Sequence, residues 1–334
     1  MIIPSYWAEA RLQHREGRRQ VTLRRFGWSE ESEEAAQVHA DARVREAMDR
    51  VLAGESLPRR ERRVAYNGAE GVPIREEIVD RHGDSVITRN GYGALCLNTP
   101  NVLFADMDAS DDDLRFRHGC LLVVAGTIAF AAALRLAGMV NLAAAIGIGF
   151  ASAWAVSWLV DWLYGRFVAR PRVRDRRQQW DAHALARIRA FAESHRDWRL
   201  RVYRTPAGFR LLAMHRTFDP LDVEVQACFE ALDVDPTYAR MCRNQRCFRA
   251  RISPKPWRIG LQRLRAPYSA AWRAEHADLG ERLDWIRRYD TAASRFASCR
   301  FVETLGQGAE VPEAIAVRDA HDLFCRADQG LPLA

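Results

Sequence analysis

The chain has almost no lysine: of its 50 basic residues, 49 are arginine and one, Lys255, is lysine. A coding sequence rich in G and C explains an arginine bias by itself. However, an ammonium group is a compact point charge and a guanidinium group is a planar fork, so the two do not substitute for each other at every site. The one remaining lysine is therefore a candidate functional residue.

Cysteine is also sparse, with seven residues at irregular spacings. An odd number of cysteines at irregular spacings does not indicate a disulfide framework. The sequence therefore predicts a reducing compartment. Cys242 and Cys247 form a C-x4-C pair, but no second pair of cysteine or histidine follows at the spacing typical of zinc sites. The cysteines are accordingly interpreted as structural.

The composition excludes a wholly disordered or collagen-like chain, because 48% of the 334 residues are apolar and 28% are charged. The formal net charge is +7 at pH 7. A basic chain admits an anionic partner, which leaves nucleotides, nucleic acids and membrane surfaces as classes of ligand.

Charge is missing from one long stretch, since residues 119–160 contain a single charged residue, Arg135. A bilayer core requires about 20 apolar residues for each helical span. The stretch predicts a two-helix transmembrane hairpin over 118–164; a buried helical hairpin in a soluble core is the alternative. Arginines on both flanks predict an inner-membrane location with the remaining segments in the cytoplasm.

The pattern of short apolar runs and turn residues predicts an α+β fold with a mostly antiparallel sheet and flanking helices, interrupted by the hairpin. A helix is expected at 29–53 and a β-hairpin at 199–216. Four segments are expected: an N-terminal helical region (1–60), the first part of the α+β domain (61–117), the transmembrane hairpin (118–164) and the second part of the α+β domain (165–334).

Two carboxylates follow an apolar run in the sequence VLFADMD. Asp106 and Asp108 are two positions apart, so in a strand they share one face. Their mutual repulsion is relieved by a divalent cation, and paired carboxylates suit Mg²⁺ or Mn²⁺ held together with substrate phosphates. The alternative is a pair of solvated acids that continues into the acidic loop Asp111–Asp113.

Two basic segments are candidate phosphate sites. The first is the predicted hairpin tip, where a turn of small residues lies between arginines; its candidates are Arg204, Thr205, Gly208 and Arg210. The second is FRARISPK, where Arg251 lies in a predicted strand and Lys255 follows between two prolines that stiffen the chain. An ordinary turn and a basic edge strand are the alternatives.

Taken in order, these motifs resemble the archaeo-eukaryotic primase (prim-pol) superfamily, whose hhhDhD strand is matched by VLFADMD and whose small-residue hairpin is matched by YRTPAGFRLL. The resemblance implies an antiparallel, RRM-like core, with Asp106 and Asp108 as metal ligands and with Arg251 and Lys255 on nucleotide phosphates. Arg210 stands where the family has a histidine, and His215 comes five residues later. The third acid is Glu303 or Asp219.

The resulting hypothesis is a membrane-anchored protein that binds a nucleotide or nucleic acid with Mg²⁺ or Mn²⁺ and catalyses nucleotidyl transfer, with catalytic Asp106, Asp108 and Lys255 and with Glu303 as a further metal ligand. The first alternative is a non-enzymatic basic module that binds nucleic acid or anionic lipid. A glycosyltransferase of the Asp-x-Asp type and a haloacid-dehalogenase-type phosphatase rank lower, since both require a doubly wound first half.

Overall fold

The computed structural model describes residues 3–17, 19–61, 71–109, 170–265 and 272–334, together with isolated positions between 126 and 167. The chain divides into two compact units, one formed by Met1–Asp108 with Arg187–Ala334 and the other by Ala109–Ala186. The first unit contains all of the described strands. It is α+β, and its strand pairings are antiparallel.

The strands and helices of the described chain follow one another in this order: β1 (Tyr6–Glu16), β2 (Arg19–Ser29), α1 (Glu33–Leu52), β3 (Glu77–His82), β4 (Ser85–Arg89), β5 (Leu95–Thr99), β6 (Phe104–Asp108), α2 (Arg170–Ser194), β7 (Arg199–Arg204), β8 (Gly208–Ala213), α3 (Val223–Leu232), α4 (Pro236–Gln245), β9 (Phe248–Arg251), α5 (Gly280–Ala293), β10 (Arg300–Gly306) and α6 (Pro312–Cys325). Short 3₁₀ helices lie at Pro256–Ile259 and Ala274–His276.

The N-terminal layer is a long hairpin of β1 and β2 covered by α1. The helix begins after Ser32, whose hydroxyl oxygen accepts a hydrogen bond from the Ala35 amide at 3.1 Å, as a helix N-cap does. Leu23 of β2 packs with Val44 and Met48 of α1 in a buried cluster. The helix predicted over 29–53 is thus confirmed. The hairpin before it was not predicted, because charged residues interrupt its alternating pattern.

Gly27 of β2 lies directly under α1, and a methyl group added there would collide with backbone atoms of Ala36 and Ala40. The Gly27→Ala variant is therefore expected to lose about 1–3 kcal/mol of stability through overpacking. Urea unfolding measures this loss. Gly280→Ala is the matched control, because a Cβ at that position meets none of the described atoms within 4 Å. Equal unfolding midpoints for the two variants would contradict the predicted contact.

Two four-stranded sheets carry the remaining strands, one in the order β10-β7-β8-β6 and the other in the order β3-β4-β5-β9. The apolar residues Leu103, Phe104 and Ala105 of VLFADMD are fully buried, which seats β6 at the edge of the first sheet beside β8. The predicted hairpin at 199–216 is confirmed as β7 and β8.

The predicted transmembrane hairpin is corrected. Among the residues that the structure describes, no helix combines the length and the apolar character that crossing a bilayer requires. The two longest described helices, α1 and α2, carry charged side chains in most of their turns, whereas a span needs about 20 apolar residues in succession. Most of 118–164 lies outside the described residues, and the inner-membrane location is withdrawn with the hairpin.

Candidate functional site

A cavity of about 410 Å³ lies where β6 and β9, strands of different sheets, come together. The sequence motifs converge here, although β6 and β9 are far apart in the chain. The lining residues of chemical interest are Asp106, Asp108, Tyr92, Arg251, Lys255 and Trp257. The acids of β6 therefore share a cleft with Arg251, the last residue of β9, and with Lys255, which follows that strand.

Two larger cavities, of about 530 Å³ and 520 Å³, lie elsewhere in the described chain. In each, an acidic side chain already forms an ion pair with arginine, since Asp284 pairs with Arg287 and Glu61 pairs with Arg43 at 2.7 Å. Neither cavity is lined by two carboxylates that share one face of a strand, as Asp106 and Asp108 do, so the cleft at Asp106 and Asp108 is the stronger candidate.

Asp106 forms a two-pronged ion pair with Arg210, its register partner on β8. Nε and Nη2 of Arg210 donate to the two carboxylate oxygens at 2.6 Å and 2.9 Å. The third nitrogen, Nη1, donates to the carbonyl oxygen of Arg251 at 2.8 Å, and Arg210 is only 2% exposed. Its donors are engaged within the protein, which corrects the expectation that Arg210 binds phosphate.

Asp108 is exposed at the end of β6, and within the described chain no hydrogen bond or ion pair engages its carboxylate. Although the residue is exposed in part, the walls of the cleft remove water from the carboxyl group, and this desolvation raises its pKa; the neighbouring charge of Asp106 raises it further. Arg251, Arg210 and Lys255 act in the opposite direction. A cation bound beside Asp108 would therefore stabilise the ionised form of its carboxyl group.

The opposite wall of the cleft is cationic. Nε of Arg251 is buried and has no hydrogen-bond partner among the described residues. Nζ of Lys255 lies 5.6 Å from the centre of the Trp257 ring, and Lys255 directly precedes the 3₁₀ helix that begins at Pro256. The chain thus places one guanidinium and one ammonium in the same cleft as the acids of β6.

An aromatic corner completes the cleft. The rings of Tyr92 and Trp257 meet edge to face, with their centres 5.2 Å apart, and Trp257 is 52% exposed. An exposed ring beside a cation offers a flat apolar surface to a planar ligand. The sequence pattern did not single out either ring, because aromatic residues in loops carry no periodic signal.

The hairpin turn between β7 and β8 does not form the predicted phosphate site. The Thr205 hydroxyl oxygen accepts hydrogen bonds from the amides of Ala207 at 3.2 Å and Gly208 at 2.9 Å, so these donors are used within the turn. The Arg204 guanidinium lies 4.7 Å from the centre of the Phe209 ring. Gly208 instead lies opposite Asp108 in the sheet register.

The structure does not bring the proposed third acid to the cleft. Glu303 lies on β10, three strand positions from β6, or roughly 14 Å at the usual strand spacing. It forms an ion pair with Arg189 at 2.9 Å. Asp219 is exposed in a turn, where it accepts a hydrogen bond from the Leu221 amide at 2.8 Å. The position of Glu303 therefore contradicts its predicted role as a metal ligand.

His215 also lies outside the cleft lining. Its ring packs against Trp198 and Phe218, with ring centres 4.7 Å and 5.5 Å away. Burial, together with the charge of Arg216, lowers the pKa of this imidazole. His215 belongs to an aromatic cluster and does not replace the histidine that the resemblance implies at position 210.

Sequence reasoning missed two groups that shape the cleft. Glu76 accepts hydrogen bonds from Nη2 of the buried Arg249 at 2.7 Å and 2.9 Å, which fixes β9 against the segment before β3. The Tyr238 hydroxyl donates to the carbonyl oxygen of Phe104 at 2.9 Å and fixes α4 against β6. The sequence predicts a helix at about 236–246, and the structure confirms it as α4, but nothing in the pattern pointed to the role of Tyr238 or of Glu76.

The acids of β6 fit a hard divalent cation. Asp108 has both carboxylate oxygens available, and each Asp106 oxygen keeps a second lone pair beyond its bond to Arg210. Oxygen ligands of this kind suit Mg²⁺ or Mn²⁺.

In comparisons with known proteins, this chain matches no family model, no curated protein and no solved structure.

Proposed function

We propose that this chain binds a nucleoside triphosphate in the cleft, with Mg²⁺ or Mn²⁺, and uses it for nucleotidyl transfer of the primase-polymerase type. The observation that carries the proposal is the placement of Asp106 and Asp108 opposite Arg251 and Lys255 in one cavity. Ligand cavities typically measure about 300–1,000 Å³, so a volume of about 410 Å³ accommodates much of a nucleotide.

The phosphates belong at the cationic wall. Arg251 offers the donor that has no described partner, and Lys255 adds a point charge held between Pro254 and Pro256. A triphosphate would bring several negative oxygens to this wall and would give Nε of Arg251 an acceptor. The acids across the gap would repel the same phosphates, which is why an intervening cation is part of the proposal.

The base belongs at the aromatic corner. Stacking of a base on an aromatic ring contributes about 1–3 kcal/mol and tolerates any base, because every base has a flat π-face. Trp257 presents its exposed ring two residues after Lys255. A nucleotide with phosphates at Lys255 therefore has an apolar surface within reach of its base.

The divalent cation, held by Asp108 and the remaining lone pairs of Asp106, would neutralise charge on the phosphates. In the transfer, an acceptor hydroxyl would attack the α-phosphorus and release its proton to solvent water. The new ester bond would form, and pyrophosphate would leave as the phosphoanhydride bond breaks. Lys255 and Arg251 stabilise the negative charge that develops on the phosphoryl oxygens, and they do so as fixed donors.

The competing function is binding of nucleic acid by basic side chains, without chemistry. Such binding requires no metal, weakens steeply with salt and survives loss of Asp108. The paired acids at the centre of the cleft favour the nucleotide, because carboxylates beside a phosphate-binding surface weaken binding unless a cation lies between them.

The experiment is a calorimetric titration with a panel of nucleoside triphosphates, with and without Mn²⁺. The wild-type chain is expected to bind at least one triphosphate only when Mn²⁺ is present. Lys255→Met is expected to weaken this binding about 10- to 100-fold, because a hydrogen bond to a charged group contributes about 1.5–3 kcal/mol.

The matched control is Arg295→Met, which removes one exposed positive charge outside the cleft lining. This variant should bind as the wild type does. Equal binding with and without Mn²⁺, or equal losses in Lys255→Met and Arg295→Met, would refute the proposed site in favour of general attraction to positive charge.

A further inference from the structure

A second group of metal-ligating side chains lies outside the cleft lining. Cys299 directly precedes β10, and His321 and Cys325 lie one turn apart on α6. All three are fully buried, and one ligand atom from each lies within 4.8 Å of the other two. Cys299 Sγ is 3.8 Å from His321 Nε2. The three residues are brought together where the C-terminal part of α6 meets the start of β10, with no short sequence motif.

The hydrogen bonds of His321 leave the nitrogen that faces the thiols without a proton. Nη1 of Arg210 lies 3.3 Å from Nε2, and a guanidinium can only donate, so Nε2 is the acceptor and carries no proton. A metal ion bound to Nε2 would replace this contact, and Nη1 would keep its shorter bond to the Arg251 carbonyl oxygen. Nδ1 therefore carries the proton and donates to the Asp322 carboxylate at 2.9 Å. A carboxylate that orients a histidine in this way is the usual partner of a metal-bound imidazole.

The charges around the cluster also suit a divalent ion. Two thiolates would neutralise Zn²⁺, and the nearest charged groups already form pairs: Arg210 with Asp106 at 2.6 Å, and Asp322 with Arg201 at 2.8 Å. The whole arrangement is then electrically neutral, as a fully buried site requires. Sulfur and imidazole ligands select zinc over Mg²⁺ or Mn²⁺.

We propose that Cys299, His321 and Cys325 bind a structural Zn²⁺ ion. The carbonyl oxygen of Arg251, 4.0 Å from Cys325 Sγ, offers a fourth donor. The same carbonyl accepts from Arg210, the partner of Asp106. The ion would therefore link α6 and the start of β10 to the last residue of β9, Arg251, which also lines the cleft.

The first measurement uses the wild-type chain. Protein purified in the presence of zinc and then dialysed is expected to retain about one zinc ion per chain. Elemental mass spectrometry measures this content. Replacement of zinc by Co²⁺ is expected to produce the near-ultraviolet charge-transfer absorption of cobalt thiolates. A chain that retains no zinc, or a cobalt form without this absorption, overturns the proposal without recourse to any variant.

The second measurement assigns the ligands. Cys299→Ser and Cys325→Ser should each reduce bound zinc to less than about a tenth of the wild-type amount. Cys228→Ser is the matched control, because Cys228 is equally buried but lies on α3 outside the cluster, and it should retain the ion. Zinc retained by both cluster variants, or lost equally from the control, contradicts the assignment. Nucleotide is absent throughout, so the outcome is independent of the nucleotide proposal.

Discussion

Replacement of Asp108 by asparagine is expected to weaken Mn²⁺-dependent nucleotide binding on the order of 100-fold or more. Loss of a group that only orients a metal ligand costs about 10- to 100-fold in metal affinity, so loss of a ligand itself should cost at least as much. Asp108 is a cleaner target than Asp106, because Asp106 also forms the ion pair with Arg210. Calorimetric titration with Mn²⁺ and a triphosphate measures the change.

The Asp108→Asn variant should fold normally. Burial and the charge of Asp106 raise the pKa of this carboxyl, so its ionised form is disfavoured in the folded chain, and a neutral amide removes that cost. The melting temperature is therefore expected not to fall. Asp84→Asn, at an exposed turn between β3 and β4, is the control for charge and should bind as the wild type does. Undiminished binding by Asp108→Asn would eliminate the metal site.

Arg210→Met is expected to destabilise the fold by about 3 kcal/mol, near the lower end of the range for breaking a buried ion pair. The substitution leaves the Asp106 carboxylate without its partner and removes the Arg210 donor from the Arg251 carbonyl oxygen. The lower end applies because the Asp106 side chain keeps 24% of its surface exposed and can recover some hydration. Urea unfolding at neutral pH measures the loss.

A double variant separates the ion pair from simple packing. Asp106→Asn combined with Arg210→Met removes both charges, so it should be more stable than Arg210→Met alone, because no unpaired carboxylate remains. If Arg210→Met alone costs less than about 1 kcal/mol, or if the double variant is the less stable of the two, the ion pair does not hold β6 to β8 as described.

Local sequence patterns predicted most of the elements that carry the cleft. The apolar run before Asp106 indicated a buried strand, and the small residues at 206–208 indicated the turn between β7 and β8; both interpretations depend on neighbours in the chain. The prediction of a transmembrane hairpin at 118–164 used the same kind of local signal. It was wrong, because no helix among the described residues is long and apolar enough to cross a bilayer. Apolar character indicates burial, but it does not identify the surrounding medium.

The sequence by itself determined where the acids and cations lie in their strands, since an alternating strand fixes the face of Asp106 and Asp108, and the two prolines fix the chain around Lys255. Only the tertiary structure decided which charges are used internally. Arg210 meets Asp106 because β8 pairs with β6 in one register, and Glu303 is remote because two strands lie between β10 and β6. The cluster of Cys299, His321 and Cys325 arises in the same way, because packing between distant segments leaves no periodic trace in the chain.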